Sequence, residues 1–239
     1  MRVKDKDHNN DLIDPTLNRD TKRSIKLPRA TVFTPMSFLG CDNNSFAMRG
    51  LHQILVEVKP ELKPLPGVAL LAKSHGIKVP PNDRYSYGVD CDEVYPGIFV
   101  GDEGAARNKH YLRGLGVTHV LNTAEGSQFG QVDTSQAFYN SHGISYLGLR
   151  LVDIPQEDIA AHFDKCANFI DDCLENNGKV LVNCRMGMSR SATIAIAYLM
   201  IKKGMTVDDG LRTLRMNRAV RPNNGFLLQL VQLDAKLRS

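Results

Sequence analysis

Cys184, Gly187, Arg190 and Ser191 fall close together in the stretch VNCRMGMSRSAT, residues 182–193, which separates an apolar strand-like run from an apolar helix-like run. A loop that leaves a buried strand and enters a helix gathers several backbone N–H groups around one point, and the positive end of the helix dipole adds to them. Such a nest suits an oxyanion, with phosphate as its natural guest. Gly187 lets the chain curl without a Cβ clash. A thiol at the mouth of the nest feels the inward dipoles and the Arg190 guanidinium, which favour the thiolate and make Cys184 a nucleophile at neutral pH. Arg190 can hold two phosphoryl oxygens with its planar fork, matching the charge that spreads over the equatorial oxygens during transfer. Ser191 can give its hydroxyl proton to the sulfur when a phosphocysteine breaks down. Main-chain groups of Arg185, Met186, Gly187, Met188 and Ser189 complete the cradle, with the Arg185 side chain left in solvent.

The elements that must position this loop are legible on both sides of it. KVLVN is a continuous apolar strand of the kind found where both faces of a sheet are covered. RSATIAIAYLMIKKG, TVDDGLRTLRMNR and GFLLQLVQLDAKL carry helical patterns. Upstream, GIFVG, VTHVLN and ISYLGLRL read as strands, and DEGAARNKHYLRGLG as one helix closed by glycine. Ile159, Phe163, Cys166, Phe169, Ile170 and Cys173 recur at helical spacing, ahead of a stop at Asn177-Gly178. Strands alternating with helices, then a helical tail, predict an α/β domain over residues 85–239. Residues 1–48, rich in Asp, Asn, Lys and Arg without sustained period, read as a disordered or loosely ordered extension. Residues 49–84 read as a helix over GLHQILVEV followed by a Pro-rich connector.

Composition narrows the function classes. A formal net charge of +4 over 239 residues fits an anionic substrate held by a few placed cations, and gives no concentrated basic stripe for nucleic acid. The start MRVKDKDHNN has no apolar core for a secretory signal, and the longest apolar run, 192–201, is far below the ~20 residues that cross a bilayer. A soluble intracellular protein, cytoplasmic or also nuclear and without membrane contact, is expected. Cys41, Cys91, Cys166, Cys173 and Cys184 form an odd set with no C-x-x-C pair and no zinc-like clustering, so thiols rather than disulfides are expected. Cys166 and Cys173 fall on an apolar helix face and read as core.

The run from Cys184 to Ser191 resembles the C-x-x-x-x-x-R-S signature of cysteine-dependent phosphatases, in the C-x-x-G-x-S-R-S form of the dual-specificity branch. EVYPGIFVGDEGAA, GVTHVLNTAEG, YLGLRLVDIP and NRAVRPNNGFLLQL are similar to segments of the atypical dual-specificity protein phosphatases, and the resemblance spans roughly 90–237. It implies a central, mostly parallel five-stranded sheet flanked by helices on both faces, and phosphotyrosine, phosphoserine or phosphothreonine on proteins as substrate. It also implies a general acid on the loop LRLVDIPQED, where Asp153 is the match. Asp158 stands at the start of a helix, where capping accounts for it. Glu125 and Phe129 match the family's pocket-bordering loop, so Phe129 either packs on an aromatic phosphoresidue or anchors its own loop. Asn217, Arg218, Pro222, Asn223 and Asn224 would support the phosphate loop from beneath, with Asn224 capping the last helix.

The family usually places histidine immediately before the nucleophile, and this chain has Asn183, which can hydrogen-bond but not become cationic. The chain has no tryptophan, so the Trp-Pro-Asp acid loop of other tyrosine phosphatases is absent. The loop also lacks the lysines with which phosphoinositide phosphatases meet a multiply charged headgroup, and a protein phosphoresidue suits it better. Asn183 and the unmatched N-terminus motivate an alternative, a phosphoprotein-binding pseudophosphatase module with little turnover. RNA 5′-phosphatase activity would need a basic and aromatic tract that is missing, and a sulfur carrier would not need Arg190, Ser191 and Asp153 together. No metal or cofactor is called for, because the cysteine is the nucleophile and the amide nest with Arg190 neutralises the phosphate. In KRSIKLP, Lys22 and Arg23 precede Ile25 and Leu27, a pattern that resembles docking peptides recognised by mitogen-activated protein kinases. The alternative for that segment is a solvated charged tail. Oligomeric state is not readable from the residues.

Overall fold

The computed structural model describes residues 43–61, 63–75 and 88–239. Two helices, α1 (Asn43–Glu57) and α2 (Val68–His75), precede a hairpin of β1 (Cys91–Tyr95) and β2 (Ile98–Gly101). Then come α3 (Glu103–Arg107), α4 (Lys109–Gly114), β3 (His119–Asn122), α5 (Gln136–Tyr139), β4 (Ser145–Gly148), α6 (Phe163–Glu175) and β5 (Val180–Asn183). The helices α7 (Arg190–Lys203), α8 (Val207–Asn217) and α9 (Asn224–Arg238) complete the chain. The five strands lie in the order β1-β2-β5-β3-β4, with β1 antiparallel to β2 and every other pairing parallel. The expected mostly parallel five-stranded α/β fold is the one observed.

The continuous apolar runs are explained by burial on both sheet faces. Ile98, Val100, Leu121, Val180 and Val182 point into one core with α1, α6, α7, α8 and α9, whereas Phe99, Val120 and Leu181 point into a second core beneath α2, α3, α4 and α5. Successive strand residues face opposite sides, so each strand feeds both cores. α7 is buried along residues 190–200 and therefore lacks a polar face, since α6, α8 and α9 all pack around it.

Three expectations need correction. The single helix predicted from 102 to 116 is two, because Asn108 leaves helical conformation at φ −92° and ψ 80° and turns its side-chain oxygen onto the Tyr111 N–H, restarting the chain as α4. Order was expected from Arg49, but α1 begins at Asn43, since Ala47 and Met48 already pack on the main core. The stretch 49–84 is also more than a helix and a connector. Leu51 and Ile54 of α1 are wholly buried in the main core, and α2 with Leu65 and Leu71 closes the second one. The expectations for residues 1–42, including the docking peptide with Lys22, Arg23, Ile25 and Leu27 and the Cys41 thiol, lie outside the described residues. Among the described residues no helix is long and apolar enough to cross a membrane.

Candidate active site

Cys184 follows β5 directly and α7 begins at Arg190, so the intervening loop is held at the carboxyl end of a central strand. Four successive carbonyls of this loop are tied from outside. Arg185 O accepts the Glu103 N–H at 3.2 Å, Met186 O and Gly187 O accept from the Arg218 guanidinium at 3.1 and 2.8 Å, and Met188 O accepts the Arg221 N–H at 2.8 Å. With the carbonyls fixed outward, the N–H groups face inward onto one sulfur. Gly187 N–H donates to Cys184 Sγ at 3.2 Å and the Ser191 hydroxyl donates to it at 3.3 Å.

Gly187 is required by space as well as by conformation. Its φ is +66°, and a Cβ there would lie 2.6 Å from the Gly101 carbonyl and 2.7 Å from an Arg218 nitrogen. The Cys184 thiol is buried, which by itself raises its pKa, yet the net shift is downward. The Ser191 hydroxyl, the Ser191 amide, the Arg190 charge and the Met188 amide together outweigh desolvation.

Arg190 is 4 % exposed and aimed by main-chain oxygens, with Nη1 donating to Leu151 O at 2.9 Å and Nη2 to Gly130 O at 3.1 Å. Its Nε stands 3.7 Å from Asp153 Oδ2 and has no hydrogen-bond partner among the described residues. Asp153 Oδ1 accepts from Ser189 Oγ and from Asn223 Nδ2, each at 2.8 Å, so the carboxyl group is oriented from two sides. Phe129, Gly130, Asp153, Arg190 and the loop from Cys184 line a cavity of about 310 Å³. A second cavity of about 410 Å³ shares Phe129, Gly130, Asp153 and Arg190 with it and extends over Val152 and Gln128. The cleft thus joins a soft nucleophile, a buried cation and an oriented carboxyl group, the set needed to accept a phosphoryl group and protonate its leaving oxygen.

The other predicted residues divide. Met186 and Met188 line the cleft, and Ser191 sits behind the sulfur, fully buried. Phe129 is fully exposed, so it does not anchor its loop and stands free at the cleft mouth. Glu125 does not line either cavity: its Oε1 accepts from Tyr146 OH at 3.0 Å and its Oε2 lies 3.6 Å from Arg150 Nε, which makes it a brace for the loop rather than a pocket wall. The Arg185 side chain is about half exposed, as expected, and its guanidinium also pairs with Glu103, which holds Arg107 as well. Asp158 accepts from the Ala161 N–H at 3.2 Å at the start of a 3-10 turn, as capping predicts.

Support beneath the loop comes chiefly from Arg218, which is 4 % exposed and pairs with Asp90 at 2.7 Å and Asp92 at 2.8 Å while holding the two loop carbonyls. Asn217 takes no part, since its amide goes to Thr213 O on α8. Asn223, not Asn224, caps α9 by accepting from the Phe226 N–H at 3.0 Å, because it is Asn223 that has the extended backbone of a cap, with φ −68° and ψ 163°. Asn183 turns toward β3, donating to Asn122 Oδ1 at 3.2 Å, so it ties two strand ends together. Asp90, Asp92 and Glu103 were not anticipated. The alternation of Asp90 and Asp92 across VDCDEVY, which puts both on one side of the chain, was the available signal.

The family model described as "Dual specificity phosphatase, catalytic domain" matches residues 98–236, more than half of the chain. Dual specificity protein phosphatase 13B of Mus musculus is 46 % identical over 148 residues, covering 62 % of this chain and 74 % of that protein. Dual specificity protein phosphatase 26 of Homo sapiens is 43 % identical over 149 residues, covering 62 % and 69 %. Among solved structures, human DUSP28 superposes with a TM-score of 0.56 at 29 % identity, covering 62 % of this chain and 95 % of that one. The human tyrosine phosphatase-like serine/threonine/tyrosine-interacting protein does so at 0.52 and 31 %, covering 62 % and 98 %. The chain belongs to the dual-specificity phosphatases, as an atypical member within the protein tyrosine phosphatase superfamily.

Proposed function

We propose that the protein dephosphorylates phosphotyrosine and phosphoserine or phosphothreonine on proteins through a phosphocysteine intermediate. The observation that carries this reading is the convergence on Cys184 Sγ of the Gly187 N–H and the Ser191 hydroxyl, with Arg190 and Asp153 on the wall of the same cleft. The Cys184 thiolate attacks phosphorus, the bond from phosphorus to the side-chain oxygen breaks, and protonated Asp153 gives its proton to the departing oxygen. The amide nest and Arg190 hold the three equatorial oxygens as charge spreads onto them. In the second step Asp153, now a carboxylate, takes a proton from water as it attacks phosphorus, and the departing sulfur is stabilised by the Ser191 hydroxyl. Phosphate leaves and the thiolate is restored.

The test is turnover of p-nitrophenyl phosphate and of phosphotyrosine and phosphothreonine peptides in the presence of chelator. Cys184→Ser should abolish it, and Asp153→Asn should lower kcat by roughly 10²- to 10⁴-fold and flatten the alkaline limb of the pH profile. A second reading, a phosphoprotein-binding module with little turnover, draws on Asn183, which cannot carry positive charge and whose buried Oδ1 lacks a hydrogen-bond partner among the described residues. Phosphopeptide binding by folded wild type without turnover would select it. For partners, we propose a mitogen-activated protein kinase docked on 22–27. Deleting residues 1–30 should then raise KM toward a phosphorylated kinase while leaving peptide turnover alone, and an unchanged KM would remove the docking role.

A further inference from the structure

We propose that the groove between the end of α1 and the segment joining α8 to α9 is an accessory anion site, which takes an acidic or phosphorylated side chain of the same protein substrate whose phosphoresidue occupies the Cys184 cleft. The proposal rests on the phosphatase reading above and names a feature of the substrate that this reading leaves open.

The groove encloses about 480 Å³ and is lined by His52, Leu55, Val56, Lys59, Arg215 and Arg221, with Pro222 and Asn224. No carboxylate lines it. His52, Leu55 and Val56 share one face of α1 at i, i+3 and i+4, and Lys59 follows just past the helix end, so an apolar centre is flanked by His52 and Lys59. Arg215 is fixed by main chain alone, donating to Leu55 O at 3.1 Å, Val58 O at 3.1 Å and Val220 O at 3.0 Å, and its charge meets no carboxylate there. Lys59 and Arg221 form no ion pair among the described residues, whereas Arg107, Arg185, Lys202, Arg218 and Arg238 are all paired with carboxylates. The groove therefore gathers His52, Lys59, Arg215 and Arg221 with no carboxylate among its described lining residues. Its apolar centre suits the carbon stem of a side chain whose charged end lies among the cations.

The position of the groove says which molecule brings the anion. Residues 221–224 form a partition between groove and cleft: the Arg221 N–H holds Met188 O of the phosphate loop, Asn223 Nδ2 holds Asp153, and Pro222 and Asn224 line the groove. His52 closes one end through a 2.9 Å hydrogen bond with Asn224. A polypeptide seated on Cys184 would reach the groove across residues 221–224. His52 and Lys59 lie outside the segment 98–236 that matches the family model, whereas Arg215 and Arg221 lie inside it, so the groove joins the residues of α1 and its end to the catalytic domain.

The test compares phosphotyrosine peptides carrying Ala, Glu or phosphothreonine at about two to five residues on either side, which scans roughly 7–17 Å of extended chain. Turnover is measured for wild type and Lys59→Gln/Arg221→Gln, and affinity is measured by fluorescence polarisation with the same peptides in a Cys184→Ser background. The KM of the best acidic peptide should lie below that of its Ala counterpart by about three- to tenfold, the scale of two partly exposed charge pairs. That gap should close in the double variant and, for wild type, in about 0.5 M salt. An equal KM ratio in wild type and variant, or no acidic preference in any register while the Ala peptide is turned over, would overturn the accessory site and leave the phosphatase reading standing. If wild type turns over no peptide, the catalytic reading fails by itself, and the affinity ratios in the Cys184→Ser background decide the groove by the same criterion.

Discussion

Replacing Arg218 by leucine removes the one side chain that holds two loop carbonyls and two aspartates at once. In the native arrangement its guanidinium meets Asp92 at 2.8 Å and Asp90 at 2.7 Å, with Asp92 side chain 8 % exposed and Asp90 37 % exposed. Both carboxylates hold the Arg218 charge in place, so that its pKa rises despite burial. Breaking such a buried group costs about 3–5 kcal/mol, because the remaining charge keeps its desolvation and loses the opposite charge that compensated it. The exposure of Asp90 places this case near the lower end, about 3 kcal/mol. For a domain of this size each kcal/mol shifts Tm by roughly 2–4 °C, so Arg218→Leu should melt about 6–12 °C below wild type. Met186 O and Gly187 O lose their anchors at the same time, and a loop free to turn those peptides no longer aims the Gly187 N–H at sulfur. Turnover below the melting range should therefore fall by at least about tenfold, since small misplacements of reacting groups are expensive. The double variant Arg218→Leu/Asp92→Asn should regain part of the lost Tm, as it removes the more deeply buried of the two charges that Arg218 compensated, without regaining the activity. A single variant that melts within about 2 °C of wild type and keeps full turnover would refute the assignment of Arg218 as the loop's support.

Other outcomes follow from the same geometry. Alkylation of Cys184 by iodoacetate should show its inflection below the ~8.5 of a free thiol, because the folded pKa is lowered and the thiolate persists as pH falls toward that value. Ser191→Ala should move the inflection upward, and an unmoved inflection would dismiss the hydroxyl as a thiolate donor. Gly187→Ala should reduce kcat by at least about 10²-fold, since a Cβ in left-handed conformation would press on the Gly101 carbonyl at 2.6 Å and displace the loop. Retained activity would mean that the loop tolerates the shift.

The strands β2, β3 and β5 were legible because burial on both faces leaves unbroken apolar runs. β1 was not, since Asp92 and Glu93 interrupt its apolar residues. Asp92 is there to meet Arg218, 126 residues away. α2 was hidden in a Pro-rich stretch, where breakers on either side mask a short apolar helix. At the site, Cys184, Arg190 and Ser191 belong to one loop and announce themselves locally. Asp153 comes from a different loop, and only family resemblance located it. The aiming of Arg190 by Leu151 O and Gly130 O left no trace at all, because main-chain acceptors carry no side-chain signature. Glu125 was misplaced for a related reason: its partner Tyr146 is 21 residues on, and nothing near it in the chain says which way it turns.

The helix α1 gives the fold an unusual border. It stands before the family-matched segment, yet Leu51 and Ile54 fill the same core as α7, α8 and α9, and Arg215 of α8 secures its last carbonyls. An excision made where the family-matched segment starts would strip Leu51, Ile54 and Val94 from this interior, remove β1 with them, and bare the seam between α8 and α9. Each fully buried side chain of that size contributes about 1.5–3 kcal/mol, a large share of the ~5–15 kcal/mol that keeps a domain folded. The folded core is accordingly larger than the segment that the family model matches, and transplanting the catalytic machinery into another polypeptide requires carrying the helix with it.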